Sequence, residues 1–366
     1  MAYFSIMLPV YNGEDLVSRA IESVLRQPFK DIELLILNDG STDSTFAICN
    51  EYQKVDSRVK VITHKNVGLG KNRNDGFNYL TGKWTIFLDH DDLILDNSIT
   101  QELVDFLEDA VKYEVDLIVP ARVVTDYSNT MASIENVPYE GVYNGGNEKC
   151  WCIDHEFATL IYRTDLLMDN NIRFEETRPE MESIFRHKAV YLSRKVLFTN
   201  HYYFAVRRRN PTSISSTWNY GRILPVRIQG YKKLMQWHYK LHHADVAVCR
   251  ASEFILIKTI KLYIKHMVLA GTPVKEIVRT LNDIDIFNFV KTEMHYANAK
   301  TQVLFYILNI PVLNNTLSVL LKFYLNRENG ILDENTEKDE YSTSYENLVE
   351  KTVVDYNSIR SLLYIK

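Results

Sequence analysis

Short apolar runs alternate with helical patterns along the first third of the chain. The runs have the length and the β-branched content of strands, and apolar positions recur at helical spacing between them. Strands are predicted at Phe4–Pro9, Ile32–Leu37, Val59–Thr63, Trp84–Leu88 and Val115–Val119, and helices near Asp15–Arg26, Ser44–Lys54, Leu69–Leu80 and Ser98–Val111. The side chains of Ser41–Ser44 and Asp96–Ser98 are typical helix caps. This alternation predicts an α/β, Rossmann-like fold with a mainly parallel sheet and helices on both faces.

The pattern changes after the fifth predicted strand. From residue 121 to 209 the sequence shows short strand-like pieces, Lys195–Thr199 and Tyr202–Arg207, and one helix near Met181–Leu192. From about Ile223 onward the pattern is helical. We therefore expect two domains, an α/β domain at 1–220 and a mainly helical C-terminal domain at 221–366.

The helical part combines basic and acidic segments. Within Glu253–Leu269, three lysines recur at helical spacing beside a broad apolar face: Lys258, Lys261 and Lys265. A packed helix with a solvated basic side explains this stripe most simply, and an anionic membrane surface, a partner subunit or an acceptor are the alternatives. Glu328–Glu346 is acidic and rich in Ser, Thr and Asn, which predicts a surface connection before a last helix near Tyr345–Leu363.

Composition and charge exclude several classes of protein. With 366 residues, 46% of them hydrophobic, and a formal net charge of −5, the chain has a globular composition and no positive field that would attract nucleic acid. Four scattered cysteines favour reduced thiols and a cytoplasmic protein over a disulfide framework. The N-terminus has the pattern of a strand and lacks the features of a signal peptide. The most apolar stretch, Val303–Leu325, is interrupted by Asn309, Pro311 and Lys322, which predicts two short helices and no membrane span.

Polar residues follow each of the first four predicted strands. In an open parallel sheet, ligands bind beyond the carboxyl ends of the strands. The most highly charged segment is Asp89-His90-Asp91-Asp92, directly after the apolar strand Trp84–Leu88. Three carboxylates within four residues repel one another and favour a hard divalent cation, which keeps positions open for phosphate oxygens. The alternative is a solvated acidic turn that caps the next helix.

Three other features of this edge carry weaker signals. Asp39 can accept hydrogen bonds from a base or a ribose, or it can serve only a turn and a helix cap. Gly68, Gly70 and Gly76 form a weak glycine-rich segment without a Walker-type lysine. Arg73 can offer paired donors to a phosphate.

Taken in order along the chain, these segments resemble the inverting family 2 glycosyltransferases of the GT-A fold. The matching residues are Met7–Asn12, Ala20–Gln27, Leu37–Asp43, Asn66–Gly68, Asn72–Gly76 and Phe87–Asp92. The resemblance implies a GT-A domain with a C-terminal helical extension, a nucleotide-diphosphate sugar donor of the UDP type, and Mn²⁺ or Mg²⁺ as the cofactor. It also implies a role in cell-surface glycan biosynthesis.

The resemblance assigns roles to individual residues. Asp91 and Asp89 would ligate the metal, and His90 occupies the variable position of the D-x-D pattern. Tyr11 would lie against the pyrimidine ring, Asp39 would hydrogen-bond the base, and Arg73 would lie near the base and the diphosphate. The donor-binding residues that the family implies are Pro9, Tyr11, Asn12, Glu14, Asp39, Asn66, Gly68, Asn72, Arg73, Asp89, His90, Arg207 and Ser213.

The catalytic base is the least complete part of the resemblance. Leu166–Glu176 resembles the family's approach to a Glu-Asp pair, but this chain has Glu182 and Ser183 at that place. A carboxylate must take the proton of the attacking hydroxyl, and serine cannot do so unaided. Glu182 is therefore the first candidate for the base and Glu180 the second. The alternative is an acidic first turn of the following helix.

The expected reaction is the transfer of one hexosyl or N-acetylhexosaminyl unit, with inversion, to a hydroxyl of a glycan, glycolipid or glycoprotein. The sequence lacks the Gln-x-x-Arg-Trp-like motif of processive synthases and the glycine-rich N-terminal signature of nucleotidyltransferases. Ser183 keeps open a non-catalytic sugar- or nucleotide-binding module. Peripheral association with the inner face of the membrane and homo-oligomerisation through the C-terminal helices are further expectations.

Overall fold

Most of the chain is described by the computed structural model, in two compact units. The described residues are 2–125, 131–137, 139–147, 150, 157–176, 181–207, 220–240, 246–292, 294 and 351–355. The first unit contains the described residues before 217 together with Lys351–Asp355, and the second contains the helices between Tyr220 and Thr292. The chain thus divides near residue 217, and the segment 351–355 belongs to the first unit and not to the helical one.

Four parallel strands form the centre of the first unit. They are β1 (Phe4–Val10), β2 (Ile32–Asn38), β3 (Val59–Thr63) and β4 (Trp84–Phe87). These strands lie side by side in the order β3, β2, β1 and β4. All seven residues of β1 are buried, as expected for a strand that is covered on both faces. The four strand predictions are therefore confirmed to within one residue at each end.

Antiparallel strands extend the sheet beyond β4. The next strand, β9 (Ile161–Arg163), pairs antiparallel with β4 on one side and with β6 (Val115–Thr125) on the other. The sheet continues from β6 through β7 (Met131–Glu135) to β11 (Lys351–Asp355). The parallel half of the sheet therefore lies at β3–β4, where the polar strand ends are found.

A long strand, β10 (Lys195–Arg207), links the sheet to the acidic segment. It runs parallel to β6, its first half pairs antiparallel with β8 (Gly141–Asn144), and its end pairs antiparallel with β5 (Leu93–Ile94). Register shifts between Thr199 and Ala205 are typical of β-bulges. One irregular strand thus replaces the two short strands predicted for this segment.

Helices cover both faces of the sheet around two separate cores. The helices are α1 (Val17–Leu25), α2 (Thr45–Val55), α3 (Leu69–Gly76), α4 (Gln101–Lys112), α5 (Thr164–Asp169) and α6 (Met181–Leu192). In one core, α1, α2 and α4 pack with the side chains of Phe4, Ile6 and Leu8 of β1. In the other core, α3, α5 and α6 pack against Met7 and Leu37. The prediction of helices on both faces is confirmed.

The predicted cap of α4 is wrong. The helix begins at Gln101, and Thr100 caps it by accepting the N–H of Leu103 at 3.2 Å. The segment Asp96–Ser98 does not start the helix, because the side-chain oxygen of Gln27 accepts the N–H of Ser98 at 3.1 Å. At α2, by contrast, Asp43 lies within the predicted capping segment and accepts the N–H of Thr45 at 3.0 Å.

The prediction of a helix near Tyr345–Leu363 is wrong for the part of this segment that the structure describes. Lys351–Asp355 forms strand β11, and Val353 lies opposite Ser133 of β7. The β-branched residues in this strand favour an extended backbone once a sheet edge is available for pairing. The predicted features at Val303–Leu325 and Glu328–Glu346 lie outside the described residues.

The second unit consists of helices around a core of its own. They are α7 (Tyr220–Lys240), α8 (Val246–Leu269), α9 (Val274–Asp283) and α10 (Ile286–Thr292). Leu224 and Ile228 of α7 pack with Leu256 and Ile260 of α8. Along the predicted basic stripe, Lys261 is exposed and Lys265 is half-buried, while the side chain of Lys258 is not among those described. Within the described residues, no helix has the length and apolar character that crossing a membrane requires.

Candidate active site

The loops after β1 and β2 are joined by reciprocal hydrogen bonds. Asn12 Oδ1 accepts the N–H of Thr42 at 2.8 Å, and Ser41 Oγ accepts the N–H of Asn12 at 3.0 Å. Glu14 Oε2 accepts the N–H of Ser44 at 2.8 Å. Asn12 and Glu14 therefore hold two strand-end loops together, and their predicted contact with a donor stays a prediction.

Pro9 and Tyr11 occupy contrasting positions beside these loops. Pro9 is buried within β1 opposite Leu37 of β2, so it supports the sheet. Tyr11 follows the strand and is 47% exposed. An exposed aromatic ring at a strand end presents a face on which a base can stack. Of this pair, Tyr11 is the residue that a ligand can reach from solvent.

The carboxylate of Asp39 holds the loop after β3. It is buried, with Oδ1 accepting the N–H of Val67 at 2.8 Å and Oδ2 accepting the N–H of Gly68 at 3.0 Å. Gly68 adopts φ +89°, a backbone conformation that glycine reaches at little steric cost. Asp39 thus fixes the shape of a loop at the predicted edge of the sheet, and its hydrogen bond to a base stays a prediction.

Asn72 and Asn66 differ in accessibility. Asn72 Nδ2 donates to the carbonyl oxygen of Leu37 at 2.9 Å, and its Oδ1 lies 3.0 Å from Nε2 of His64. Asn72 is only 1% exposed, and both ends of its side-chain amide have partners within the protein. Asn66 is exposed in the loop after β3, so it is the more accessible of the two predicted residues.

The glycines of the predicted glycine-rich segment serve close packing. A Cβ atom added at Gly70 would lie 2.4 Å from the carbonyl oxygen of Glu175, and one at Gly76 would lie 2.5 Å from Cδ1 of Leu37. Both glycines lie within α3, not in a loop. Their role in this structure is therefore to let neighbouring chain segments approach the helix.

The acidic segment forms a turn directly after β4. The N–H of Asp92 donates to the carbonyl oxygen of Asp89 at 3.0 Å, and all four residues from Asp89 to Asp92 are half-buried. The His90 ring packs on Gly13, where an added Cβ atom would lie 2.6 Å from Cδ2 of the ring. His90 thus connects the acidic turn with the loop after β1.

A single buried cation, Arg73, joins Asp89 to Glu182. Its Nη2 donates to Oδ1 of Asp89 at 2.7 Å, and its Nη1 donates to Oε1 of Glu182 at 2.8 Å. The Arg73 side chain is 0% exposed, whereas those of Asp89 and Glu182 are 33% and 43% exposed. The structure therefore brings the predicted metal-binding turn and the first candidate base to one arginine.

Aromatic rings surround the guanidinium of Arg73. Its central carbon lies 4.5 Å from the ring centroid of Phe157 and 5.2 Å from that of Phe174, distances at which a cation is attracted to a ring. Burial alone would lower the pKa of Arg73, but the charges of Asp89 and Glu182 raise it above its ordinary value. Arg73 is therefore a permanent cation in the site.

The base region is only partly described. Glu182 lies in the first turn of α6, where the helix dipole favours a carboxylate. The carbonyl oxygen of the half-buried Ser183 lies 2.6 Å from Nδ1 of His187. Glu180, the second candidate base, lies outside the described residues.

The end of β10 reaches the same edge. Ala205 pairs with Leu93, the residue that follows the acidic turn, and Arg207 is the last residue of the strand. The backbone of Arg207 is therefore near the acidic turn, since strand residues are only about 3.3 Å apart. The Arg207 side chain and all of Ser213 lie outside what the structure describes.

The acidic turn offers oxygen ligands but not a complete cage for a metal. Among the described residues, no three His, Cys, Asp or Glu side chains group as a ligand set. Arg73 also occupies one oxygen of Asp89. However, Mg²⁺ and similar hard ions need only one or two carboxylates where substrate phosphates and waters supply the other ligands. Ligation by Asp91 and Asp89 of an ion that is shared with a diphosphate therefore stays a prediction.

The residues that support Arg73 were not predicted from the sequence. Asn74 Nδ2 donates to the carbonyl oxygen of Phe174 at 2.9 Å, and Asn74 Oδ1 accepts the N–H of Phe174 at 2.8 Å. Asn74 is part of the matched motif Asn72–Gly76, but no pattern in the sequence links it to a partner 100 positions away. Phe157 and Phe174 likewise show no sign in the sequence of lying against a cation.

Comparison with known proteins identifies the domain that carries this site. Residues 5–166 match the family model described as Glycosyl transferase family 2. Over 228 residues the chain is 29% identical to Glycosyltransferase GlyA of Streptococcus pneumoniae, an alignment that covers 58% of this chain and 32% of that protein. Over 215 residues it is 28% identical to Poly(ribitol-phosphate) beta-N-acetylglucosaminyltransferase TarS of Staphylococcus aureus, covering 57% of this chain and 36% of that one.

A solved structure has the same fold. Residues 1–349 of TarS, crystallised in complex with UDP-GlcNAc, match this structure with a TM-score of 0.62 at 21% identity, over 78% of this chain and 80% of that one. The likeness shows the fold, and the predicted GT-A α/β architecture is confirmed. This chain spans only about a third of the length of the curated relatives GlyA and TarS.

Proposed function

Because the chain belongs to the glycosyl transferase family 2 through residues 5–166, we propose that it transfers one sugar from a UDP-sugar to an acceptor hydroxyl with inversion. The sugar is a hexosyl or an N-acetylhexosaminyl unit, and the acceptor is a glycan, a glycolipid or a glycoprotein. The TarS structure that shares this fold is a complex with UDP-GlcNAc, which supports a UDP-sugar donor.

The observation that carries the proposal is the pair of carboxylates held by Arg73. An inverting transfer needs a group that binds the donor and, close to it, a carboxylate that accepts a proton from the acceptor. Asp89 and Glu182 come from distant parts of the chain, yet both lie within 2.8 Å of the Arg73 guanidinium. Both carboxylates are also partly exposed, so substrates can reach them.

The donor would lie along the carboxyl ends of β1 to β4. Tyr11 offers an exposed ring for the uracil, and the loop that Asp39 holds forms the adjacent wall. The acidic turn after β4 would face the diphosphate. Arg207 and Ser213 are proposed to contact the leaving diphosphate, and the position of the β10 backbone beside the acidic turn supports Arg207.

A divalent ion, Mn²⁺ or Mg²⁺, is part of the proposal. Asp91 and Asp89 would hold it by oxygen ligation together with the diphosphate, because their hard oxygens and small number suit such an ion. When bound, the ion would neutralise negative charge on the diphosphate.

The protein's own step is the removal of a proton. The acceptor oxygen attacks the anomeric carbon from the face opposite the diphosphate, and the bond between that carbon and the diphosphate oxygen breaks. Glu182 takes the proton of the attacking hydroxyl, so the product is a neutral glycoside and the nucleoside diphosphate leaves with the bonding electron pair. General-base assistance of this kind is worth about 10²–10⁴-fold in rate.

Turnover with purified protein tests the proposal. We expect slow release of UDP from at least one member of a UDP-sugar panel in the presence of Mn²⁺, and loss of that activity with a chelator. Glu182→Gln should lower kcat by about 10²–10⁴-fold while UDP binding is retained, because the amide cannot accept the proton.

A second acidic residue provides the matched control. Glu102 occupies the first turn of α4, as Glu182 occupies that of α6, so Glu102→Gln removes the same charge from an equivalent helix position. This variant should keep wild-type activity. If the protein neither binds nor turns over any UDP-sugar of the panel, the proposal that it is a glycosyltransferase is refuted.

Ser183 supports a second candidate, a binding module without catalysis. Serine stands where the family resemblance places a carboxylate, and serine alone is not a general base at neutral pH. Such a module would bind UDP-sugars without releasing UDP, and Glu182→Gln would leave its affinity unchanged. A single-turnover measurement, which records whether a bound UDP-sugar releases UDP, separates the two candidates.

The helical unit carries the remaining parts of the proposal. We propose that residues 221–366, apart from β11, form a separate domain that serves acceptor binding, oligomerisation or contact with the inner face of the cytoplasmic membrane. Lys261 is exposed and Lys265 is half-buried on α8, which supports an anionic partner. Sedimentation with anionic vesicles and size-exclusion chromatography test these roles.

A further inference from the structure

We propose that Arg73 is a positioning residue, which sets the orientation of Glu182 relative to Asp89 and does not itself bind the diphosphate. The inference rests on the proposed function, because Glu182 is taken as the base. It differs from the role that the family resemblance implies for Arg73, which is a contact with the base and diphosphate of the donor.

The first support is the direction of the guanidinium. An arginine that grips a phosphate typically presents two parallel N–H groups to it. Here the two terminal nitrogens serve different carboxylates, Nη1 at Glu182 and Nη2 at Asp89. The side chain is 0% exposed, so the guanidinium offers no surface to a ligand in solvent, and both of its terminal nitrogens already bind carboxylates.

The second support is the packing of aromatic rings around the guanidinium. Phe157 and Phe174 lie against the guanidinium, and the Phe174 ring stacks on Phe185 of α6 with centroids 4.0 Å apart and planes inclined by 4°. The helix that carries Glu182 is therefore attached to Arg73 in two ways, through the carboxylate and through stacked rings. Both attachments determine where the first turn of α6 lies.

The third support is the anchoring of α3 itself. Asn72 is bonded to the backbone of Leu37 in β2, and Asn74 makes two hydrogen bonds to the backbone of Phe174. Gly70 allows the backbone at Glu175 to lie directly on the helix. Arg73 therefore projects from an element that is fixed on both sides, which is what a positioning residue requires.

The cation also offsets repulsion between the two carboxylates. Asp89 and Glu182 each bond to the same guanidinium, so their charges are close, and like charges at such distances disfavour simultaneous ionisation. With Arg73 in place, the shared guanidinium holds the Glu182 carboxylate beside Asp89. Without it, the two like charges would repel one another and the Glu182 carboxylate would turn away from Asp89.

Kinetics of two Arg73 variants test the inference. Arg73→Met should lower kcat on the order of 10²-fold, the cost of a small misplacement of a reacting group, with UDP affinity within about threefold of wild type. Arg73→Lys should restore part of kcat, because it retains the charge but cannot reach both carboxylates.

A pair of phenylalanine variants provides a test that leaves every charge in place. Phe157→Leu removes a ring from the guanidinium and should lower kcat with UDP affinity retained. Phe198→Leu is the control, because Phe198 is equally buried in the same core but lies in β10. Should Arg73→Met fail to fold, this pair still decides the question.

The opposite result would identify Arg73 as a donor ligand. UDP affinity would then fall by about tenfold or more in Arg73→Lys and Arg73→Met, with kcat at saturating donor nearly unchanged, and the inference would be overturned. Equal losses in Phe157→Leu and Phe198→Leu would overturn it as well.

A failure of the proposed function gives a different pattern. In that case the wild-type protein does not turn over any UDP-sugar, and the stability of the variants is measured instead. Arg73→Met, Glu182→Gln and the double variant are compared by denaturant unfolding. A non-additivity of about tenfold in the folded-to-unfolded ratio supports the positioning contact, and strict additivity overturns it.

Discussion

Gln27 is one buried side chain that fixes the chain segment between the acidic turn and α4. It is 0% exposed, and Nε2 donates to the carbonyl oxygens of Ser23 and Leu95 at 2.8 and 2.9 Å. Its Oε1 accepts the N–H groups of Ser98 and Ile99 at 3.1 and 2.9 Å. The amide thus has partners at both ends and fixes the segment between the acidic turn and α4.

Gln27→Glu is expected to destabilise the protein strongly despite its similar shape. The carboxylate would face two carbonyl oxygens, and both acceptors would lose their donor in a buried place, at a cost of about 2–4 kcal/mol. The free energy of unfolding from denaturant titration measures the effect. Gln53→Glu is the control, because the Gln53 oxygen only accepts the N–H of Val61, which a carboxylate also does. Similar values for both variants would contradict this account.

At the residue scale, the sequence indicates which side chains belong to the candidate site but not which of them contact one another. Asp89 could be selected because it follows a buried parallel strand, where ligands bind in such sheets, and Glu182 because of its place in the family motif. Arg73 was expected at the donor, which stays a prediction, and its bonds to both carboxylates were not expected. Its partners depend on a contact across 109 positions, which no local pattern encodes.

The close contact between α3 and the segment before α6 depends on the absence of a side chain. Gly70→Ala would bring Cβ to 2.4 Å from the carbonyl oxygen of Glu175, so backbone must move, at a cost of about 1–3 kcal/mol. We expect a lower melting temperature and a lower kcat, because the displaced segment leads to Glu182. Gly146→Ala is the control, since a Cβ there meets nothing within 4 Å. Equal behaviour of the two variants would contradict this.

At the element scale, fully buried strands were the easiest to predict. Strands such as β1 and β2 are continuous apolar runs because both faces are covered, and their length separates them from helices. The start of α4 was misplaced, because the decisive contact comes from Gln27 in another element. The strand β11 was missed, because pairing at a sheet edge depends on a partner far away in the sequence.

At the scale of the whole molecule, the two units have separate cores, and the core of the helical unit includes a buried histidine that is sensitive to acid. His238 of α7 is 0% exposed, and burial lowers its pKa to about 3. The unfolded chain would bind a proton there below its ordinary pKa of 6.5, whereas the folded helical unit would not. Stability is therefore fully present above about pH 6.5 and decreases as the pH falls toward 3, by up to about 1.4 kcal/mol per pH unit.

His238→Phe is expected to remove this acid sensitivity. The free energy of unfolding of the variant should depend less on pH between about pH 5 and pH 7.5 than that of the wild type. Denaturant titrations followed by tryptophan fluorescence report on the change, because Trp237 is the adjacent residue. His266→Gln, at an exposed position of α8, should keep the wild-type pH dependence. A wild type without acid sensitivity in this range would contradict the assignment.

The contacts that complete the site have a consequence for the order of events during synthesis. Arg73 binds the carboxylate of Glu182, 109 residues later in the chain, and Asn74 binds the backbone of Phe174, 100 residues later. Contacts of such separation form late, because the intervening chain must first be closed into a loop. The segment that matches the family model ends at residue 166, before both partners. A ribosome that has released only that segment has therefore released Arg73 and Asn74 without these partners, so the contacts around Arg73 can be completed only after α6 has emerged.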